Sequence, residues 1–167
     1  MQDKKEDYVA SIKGSEFSLN DVNNNVVTEK SFQGPATALF FGFTHCPDVC
    51  PMTLNKLSII LERLKKENKS LKVFFISIDP ERDTPEIMKD YLNSFEGKFT
   101  GITGNPEKIF KLSQSWGIAS QKIFSEDGEY TVNHSSPIIL LKNGKYVDRI
   151  THKDDLKRSI KIIKKYL

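Results

Sequence analysis

Three short apolar runs separated by helical patterns are the feature of this sequence that most constrains its fold. They read ATALFFGF at residues 36–43, LKVFFISI at 71–78 and PIILLK at 137–142. Short runs with so few polar residues are typical of strands that are buried on both faces of a sheet. We therefore expect these three segments to lie as adjacent strands of one central sheet.

Helical patterns occupy much of the chain between these runs. Leucine and isoleucine recur at helical spacing from position 54, which predicts a helix to about residue 66. Helices at 84–95 and 105–116 are each indicated by an N-cap residue followed by proline. A final helix is predicted over residues 154–166.

Turn signals predict three hairpins. One surrounds residues 21–25, and a second covers 123–132 with Asp127-Gly128 as its turn. The third is an Asn-Gly turn at 143–144, which is the strongest hairpin signal in the chain and joins the third apolar run to a strand at 146–150. The element order indicates an α/β fold, and its last part is typical of thioredoxin-like domains. We predict a thioredoxin-like sandwich with a mixed central sheet and an N-terminal hairpin.

Composition and charge indicate one globular domain. The chain has 167 residues, no internal repeat and no flexible linker, so we expect a domain at 14–167 after a polar lead at 1–13. A net charge of +3 gives no reason to expect a nucleic-acid partner. No apolar run approaches the roughly 20 residues of a membrane span, and the charged start lacks the apolar core of a signal peptide. The protein is therefore either cytosolic or lacks its targeting segment here.

The only two cysteines, Cys46 and Cys50, stand where the first apolar run gives way to a helix. That point is the carboxyl edge of the sheet, where active sites of open α/β sheets lie. The i, i+4 spacing places both side chains on one helical face if the first turn is already wound, and a helix N-terminus lowers the pKa of a cysteine. Prolines at 47 and 51 favour a loop over a packed core position. The pair suits a redox couple, soft metal ligands, or both.

A histidine supplies a third candidate ligand. His134 precedes the third apolar run, and in a thioredoxin-like sheet that loop faces the cysteine loop. Two thiolates and one imidazole make a three-coordinate soft site, which suits Cu(I) and leaves Zn(II) one ligand short. We expect His45 to point away from the pair and His152 to lie at the surface.

Four segments carry a family resemblance: FGFTHCPDVCP at 41–51, SIDPERDTP at 77–85, GITG at 101–104 and VNHS at 132–135. These segments closely resemble the Sco/SenC family, and the likeness runs from about Phe17 to the last helix. It implies a membrane-anchored, thioredoxin-like copper chaperone that handles copper for the CuA centre of cytochrome c oxidase.

The resemblance also implies roles, partners and a location. Cys46, Cys50 and His134 would be the copper ligands, with the two cysteines also a redox pair. Asp79 matches an acidic position near the site, or else pairs with Arg82 in a tight turn. The implied partners are the oxidase subunit carrying the CuA site and other copper chaperones or thiol-disulfide reductases. The implied location is the periplasmic face of the inner membrane or the mitochondrial intermembrane space, with an N-terminal anchor that this sequence lacks.

Two positions depart from the family pattern. Asn133 stands where the family usually has aspartate, which removes a charge that could favour Cu(II) or tune His134. Ser136-Pro137 matches the cis-proline of thioredoxins, although a trans proline at the first residue of a strand fits equally well.

Two alternative functions follow from the same residues. The first is a thiol-disulfide oxidoreductase that reduces cysteines of an oxidase subunit, which Pro137 favours. The second is a peroxidase of the related peroxiredoxin type. Its expected Pro-x-x-x-Thr-x-x-Cys pattern is missing, since Phe43 and Pro47 occupy the places where threonine should stand. The copper chaperone remains the favoured interpretation.

Overall fold

The computed structural model describes residues 11–47, 49–134 and 137–167. Its strands are β1 (Ser18–Asp21), β2 (Val26–Thr28), β3 (Thr37–Gly42), β4 (Lys72–Ser77), β5 (Thr100–Thr103), β6 (Ser120–Phe124), β7 (Tyr130–His134), β8 (Ile138–Lys142) and β9 (Lys145–Ile150). Its helices are α1 (Val49–Lys66), α2 (Pro85–Asn93), α3 (Pro106–Ser115) and α4 (Leu156–Lys164), with a 3-10 turn at Glu29–Phe32. The predicted boundary at residue 13 stays a prediction.

Seven strands form one mixed sheet in the order β2-β1-β5-β4-β3-β8-β9. Strand β3 is parallel to β4 and antiparallel to β8, so the three apolar runs are adjacent strands, as predicted. Every residue of β3 is buried. Ala38 and Phe40 pack into one core cluster, whereas Leu39 and Phe41 pack into the other. The sheet is therefore covered on both faces, which explains the continuous apolar sequence.

The predicted helix starts are confirmed by their caps. The Thr84 side chain accepts a hydrogen bond from the Ile87 backbone amide at the start of α2, and Asn105 caps α3 in the same way. Asp155 caps α4, so the last helix begins at residue 156 rather than 154. No helix within the described part of the chain is long and apolar enough to cross a membrane.

The three predicted hairpins are also confirmed. Strands β1 and β2 pair antiparallel, as do β6 and β7, and β8 and β9. At the Asn-Gly turn, Asn143 and Gly144 have φ angles of 51° and 78°, as a type I′ turn requires. Strand β5 was not predicted from the sequence. It is only four residues long and includes a glycine, and its place comes from pairing with both β1 and β4.

Candidate metal centre

The cysteine loop joins the carboxyl end of β3 to the start of α1. Both cysteines are free thiols in the structure, and both are buried, Cys46 with 9% of its surface exposed and Cys50 with none. Their side chains belong to the same core cluster, and Cys46 is one of the groups that raise the pKa of Cys50. Cys46 lies in the turn before α1, where its amide donates to the Phe43 carbonyl at 3.2 Å. The condition for a shared helical face, a wound first turn at Cys46, is therefore not met. The expectation that the prolines keep the pair out of the core is wrong.

Gly42, the last residue of β3, lets Cys50 approach the sheet closely. A Cβ atom at this position would lie 2.8 Å from the Cys50 Sγ and 2.9 Å from the Phe75 ring. The sulfur therefore rests against the backbone of the strand. Sequence reasoning missed this residue, although a glycine inside an apolar strand is itself a signal of close approach.

Burial controls the ionisation of the inner cysteine. The pKa of Cys50 is raised far above its ordinary range, first by burial and further by Cys46 and Asp83, although a hydrogen bond with the Phe43 backbone lowers it. The lowering expected from the helix N-terminus is thus outweighed for Cys50. Burial next to the two cysteines also raises the pKa of Tyr91. Its hydroxyl has no hydrogen-bond partner among the described residues. Cys50 is consequently a neutral thiol in the metal-free protein at pH 7.

Asp83 fixes the start of the cysteine loop through hydrogen bonds to its carboxylate. Its carboxylate is fully buried and accepts hydrogen bonds from the Thr44 amide at 3.1 Å, the Thr44 hydroxyl at 2.6 Å and the Ser77 hydroxyl at 2.7 Å. Its backbone carbonyl accepts a further bond from the Thr103 hydroxyl. Three donors on one buried carboxylate keep it satisfied without a countercharge.

Asp79 connects the loop between β4 and α2 to the β6–β7 hairpin. Its carboxylate, which is buried, pairs with the Arg82 Nε atom and accepts a hydrogen bond from the Tyr130 hydroxyl at 2.8 Å. The Arg82 guanidinium stacks on the Tyr130 ring at 3.8 Å and donates to the Tyr130 carbonyl at 2.8 Å. The Arg82 salt bridge considered from the sequence is therefore present.

The chain topology brings the third candidate ligand to the edge of the sheet that carries the cysteines. Strand β8 runs antiparallel to β3, with Ile138 opposite Phe40, so the chain enters β8 at the carboxyl end of β3. Strand β7 ends at His134, four residues before Ile138. Residue 134 is therefore only four positions in sequence from the strand that enters the sheet at the edge where the cysteine loop begins.

Some predictions fall outside the described residues. They concern the side chains of Asn133 and His134 and the peptide bond between Ser136 and Pro137. The role of His134 and the cis or trans state of Pro137 therefore stay predictions. Among the side chains that are described, no group of three His, Cys, Asp or Glu residues could hold a metal ion.

The other two histidines are both exposed, as predicted for His152. His45 is exposed, with its Nδ1 atom 3.3 Å from the Thr44 hydroxyl. His152 is exposed after β9. Both provide surface controls for experiments on His134.

Comparisons with known proteins establish the family. The SCO1/SenC family profile matches residues 5–167. A SCO2-like protein of Rickettsia typhi is 38% identical over 137 residues, which cover 80% of this chain and 68% of that protein. Bradyrhizobium japonicum ScoI, solved with copper bound, is 40% identical with a TM-score of 0.84, covering 93% of this chain and 99% of that one. BsSco, a member of the Sco family of cytochrome c oxidase assembly proteins with a disulfide switch, is 21% identical with a TM-score of 0.73 over 93% of each chain, a likeness of fold alone. This chain is therefore a member of the SCO1/SenC family with the thioredoxin-like fold predicted from its sequence.

Proposed function

We propose that this chain is a copper chaperone that binds Cu(I) through Cys46, Cys50 and His134 and serves assembly of the CuA centre of cytochrome c oxidase. The observation that carries the proposal is a pair of free, buried cysteines that share one core cluster at the carboxyl end of β3. Soft thiolates and imidazole are ligands that suit Cu(I). The copper bound to Bradyrhizobium japonicum ScoI supports the same assignment.

The protonation state of the thiols determines how the metal enters. Cys50 is protonated in the metal-free protein, because burial raises its pKa. A metal ligand must be a thiolate, so Cu(I) displaces a proton from each thiol that is still protonated when it binds. Copper affinity should therefore fall as the pH is lowered.

The family resemblance supports the choice of partner and location. The partner in this proposal is the oxidase subunit that carries the CuA site, with other copper chaperones or thiol-disulfide reductases exchanging metal or electrons at the same edge. The domain would work at the periplasmic face of the inner membrane or in the mitochondrial intermembrane space, held there by an N-terminal anchor.

Competition titration with a chromophoric Cu(I) chelator tests the ligand set. Reduced protein should bind one Cu(I), and Cys46→Ser, Cys50→Ser and His134→Ala should each weaken binding by about tenfold or more. His45→Ala and His152→Ala are matched controls on exposed histidines and should leave the affinity unchanged. Tight one-to-one binding that survives His134→Ala would contradict the three-ligand site.

The thiol-disulfide oxidoreductase makes a different prediction. In that case His134→Ala would retain full exchange with a disulfide-bonded peptide from an oxidase subunit, whereas Cys46→Ser would abolish it. Cys46 would be the attacking thiol, because Cys50 is fully buried with a raised pKa. Measuring exchange and Cu(I) affinity on the same variants separates the two functions.

A further inference from the structure

We propose that the turn at residues 79–83 is the positioning element of the candidate metal centre, holding the cysteine loop with Asp83 and the histidine-bearing hairpin with Asp79 and Arg82. This inference rests on the copper function proposed above and adds to it the residues that set the distance between the two halves of the site. None of the three residues is assigned as a ligand.

The turn is itself well anchored. The Asp79 carbonyl accepts hydrogen bonds from the amides of Arg82 at 3.2 Å and Asp83 at 2.9 Å, which close the turn. The Ser77 hydroxyl at the end of β4 accepts from the Asp79 amide at 3.0 Å. Thr84 follows immediately as the N-cap of α2. A segment fixed at both ends in this way can serve as a rigid reference for the two neighbouring segments.

One part of the turn, Asp83, contacts the cysteine loop and is called the Asp83 arm. Both the amide and the hydroxyl of Thr44 donate to the Asp83 carboxylate, at 3.1 and 2.6 Å. Thr44 stands only two residues before Cys46, so this pair of bonds limits where the first thiol can lie. The contact is partly buried, with Asp83 itself fully buried, and hydrogen bonds to a charged group are stronger than neutral ones.

The other part of the turn, Asp79 with Arg82, contacts the hairpin and is called the Asp79–Arg82 arm. Tyr130 is the first residue of β7, and its hydroxyl, carbonyl and ring all contact this arm. A second link comes from Lys122 of β6, which pairs with Glu81 of the same turn at 3.0 Å. Thus both strands of the hairpin are tied to one turn.

The hairpin depends on such ties because it is a small sheet of its own. Strands β6 and β7 pair with each other, and in the described residues neither joins the ladder of the seven-stranded sheet. A two-stranded hairpin by itself is marginally stable in water. The contacts of Tyr130 with Asp79 and Arg82 therefore help to fix the strand that ends at His134. If they are lost, the histidine must be ordered when the metal binds, and the affinity decreases.

The test uses Tyr130→Phe, which removes the hydroxyl but keeps the ring. Tyr166→Phe is the matched control, because its hydroxyl also contacts an aspartate carboxylate, that of Asp148 at 3.2 Å, but this contact joins the segment after α4 to β9. In copper-free protein, Tyr130→Phe should speed amide hydrogen exchange at residues 120–124 and 130–134 by about tenfold, the size expected for one bond to a charged group. Exchange in β3 and α1 should not change. Hairpin exchange that is unaltered by Tyr130→Phe would overturn the proposal.

A second measurement asks whether the effect passes through the histidine. Tyr130→Phe should lower Cu(I) affinity about threefold to tenfold in the wild-type background and leave it unchanged in the His134→Ala background. Equal losses in both backgrounds would indicate a general structural effect and would overturn the positioning role. If His134→Ala has no effect on Cu(I) affinity, the copper function itself fails, and the copper-free exchange experiment still decides whether the turn holds the hairpin.

The other arm has its own probe. Thr44→Val keeps the shape of the side chain and removes the hydroxyl that donates to Asp83. It should raise the alkylation rate of Cys46 about threefold or more while hairpin exchange stays as in the wild type. A change confined to the hairpin, with Cys46 alkylation unaltered, would contradict the division of the turn into two arms.

Discussion

Substitution of Gly42 by alanine tests how closely Cys50 is packed against β3. The added Cβ would meet the Cys50 Sγ at 2.8 Å and the Phe75 ring at 2.9 Å, and both distances are shorter than real Cβ contacts allow. The backbone φ of Gly42 is outside the left-handed region, so alanine is penalised for its contacts rather than for its conformation. Strand β3 cannot move away easily, because β4 and β8 pair with it on both sides.

The expected loss of stability follows from two opposing effects. Overpacking a well-filled core costs about 1–3 kcal/mol. Replacing glycine by alanine also reduces the entropy of the unfolded chain, which returns about 0.4–1 kcal/mol. The net loss in the free energy of unfolding should be about 1–2 kcal/mol. For a domain of this size that corresponds to a decrease in Tm of about 2–8 °C.

Urea unfolding of the reduced, metal-free protein measures this loss. The contact with sulfur is isolated by a double-mutant cycle, because Cys50→Ala removes the Sγ atom and should reduce the cost of Gly42→Ala by about 1 kcal/mol. We also expect Gly42→Ala to weaken Cu(I) binding by about tenfold, since it displaces one proposed ligand. A Gly42→Ala protein as stable as the wild type, or equal costs in the two backgrounds, would refute the close packing of Cys50 on the strand.

Three further predictions concern the two thiols. Iodoacetamide at pH 8 should modify Cys46 well before Cys50, because Cys50 is fully buried with a raised pKa, and equal rates measured by peptide mass spectrometry would contradict this. Above about pH 9 the unfolded chain loses a proton that folded Cys50 retains, so the free energy of unfolding should fall by up to about 1.4 kcal/mol per pH unit. Urea unfolding at pH 8 and 10 should show a smaller decrease in the free energy of unfolding for Cys50→Ala than for the wild type. An identical decrease in the two proteins would exclude Cys50 as its source. Oxidation of Cys46 and Cys50 to a disulfide should abolish Cu(I) binding in the chelator titration, and equal loading of oxidised and reduced protein would contradict the thiolate site.

Local sequence patterns were enough to predict most of the secondary structure. The apolar runs became β3, β4 and β8 because burial on both faces of a sheet favours apolar residues at nearly every position. The N-caps of α2 and α3 and the Asn143-Gly144 turn were predictable because each depends on residues within four positions of one another. Strand β5 was missed because its partners, β1 and β4, are distant in sequence.

The candidate site divides in the same way. The sequence by itself identified Cys46 and Cys50, their position at the end of a buried strand, and the option of an Asp79–Arg82 pair three residues apart. It did not predict the buried, protonated state of Cys50. That state depends on how α1 packs against β3 and against Gly42, the last residue of β3. Nor did it predict the contacts of Tyr130 with Arg82 and Asp79, which lie 48 and 51 positions before it in the sequence. Burial, and hydrogen bonds between distant segments, exist only once the chain has folded, so the tertiary structure alone decided the ionisation of the thiol and the support of the hairpin.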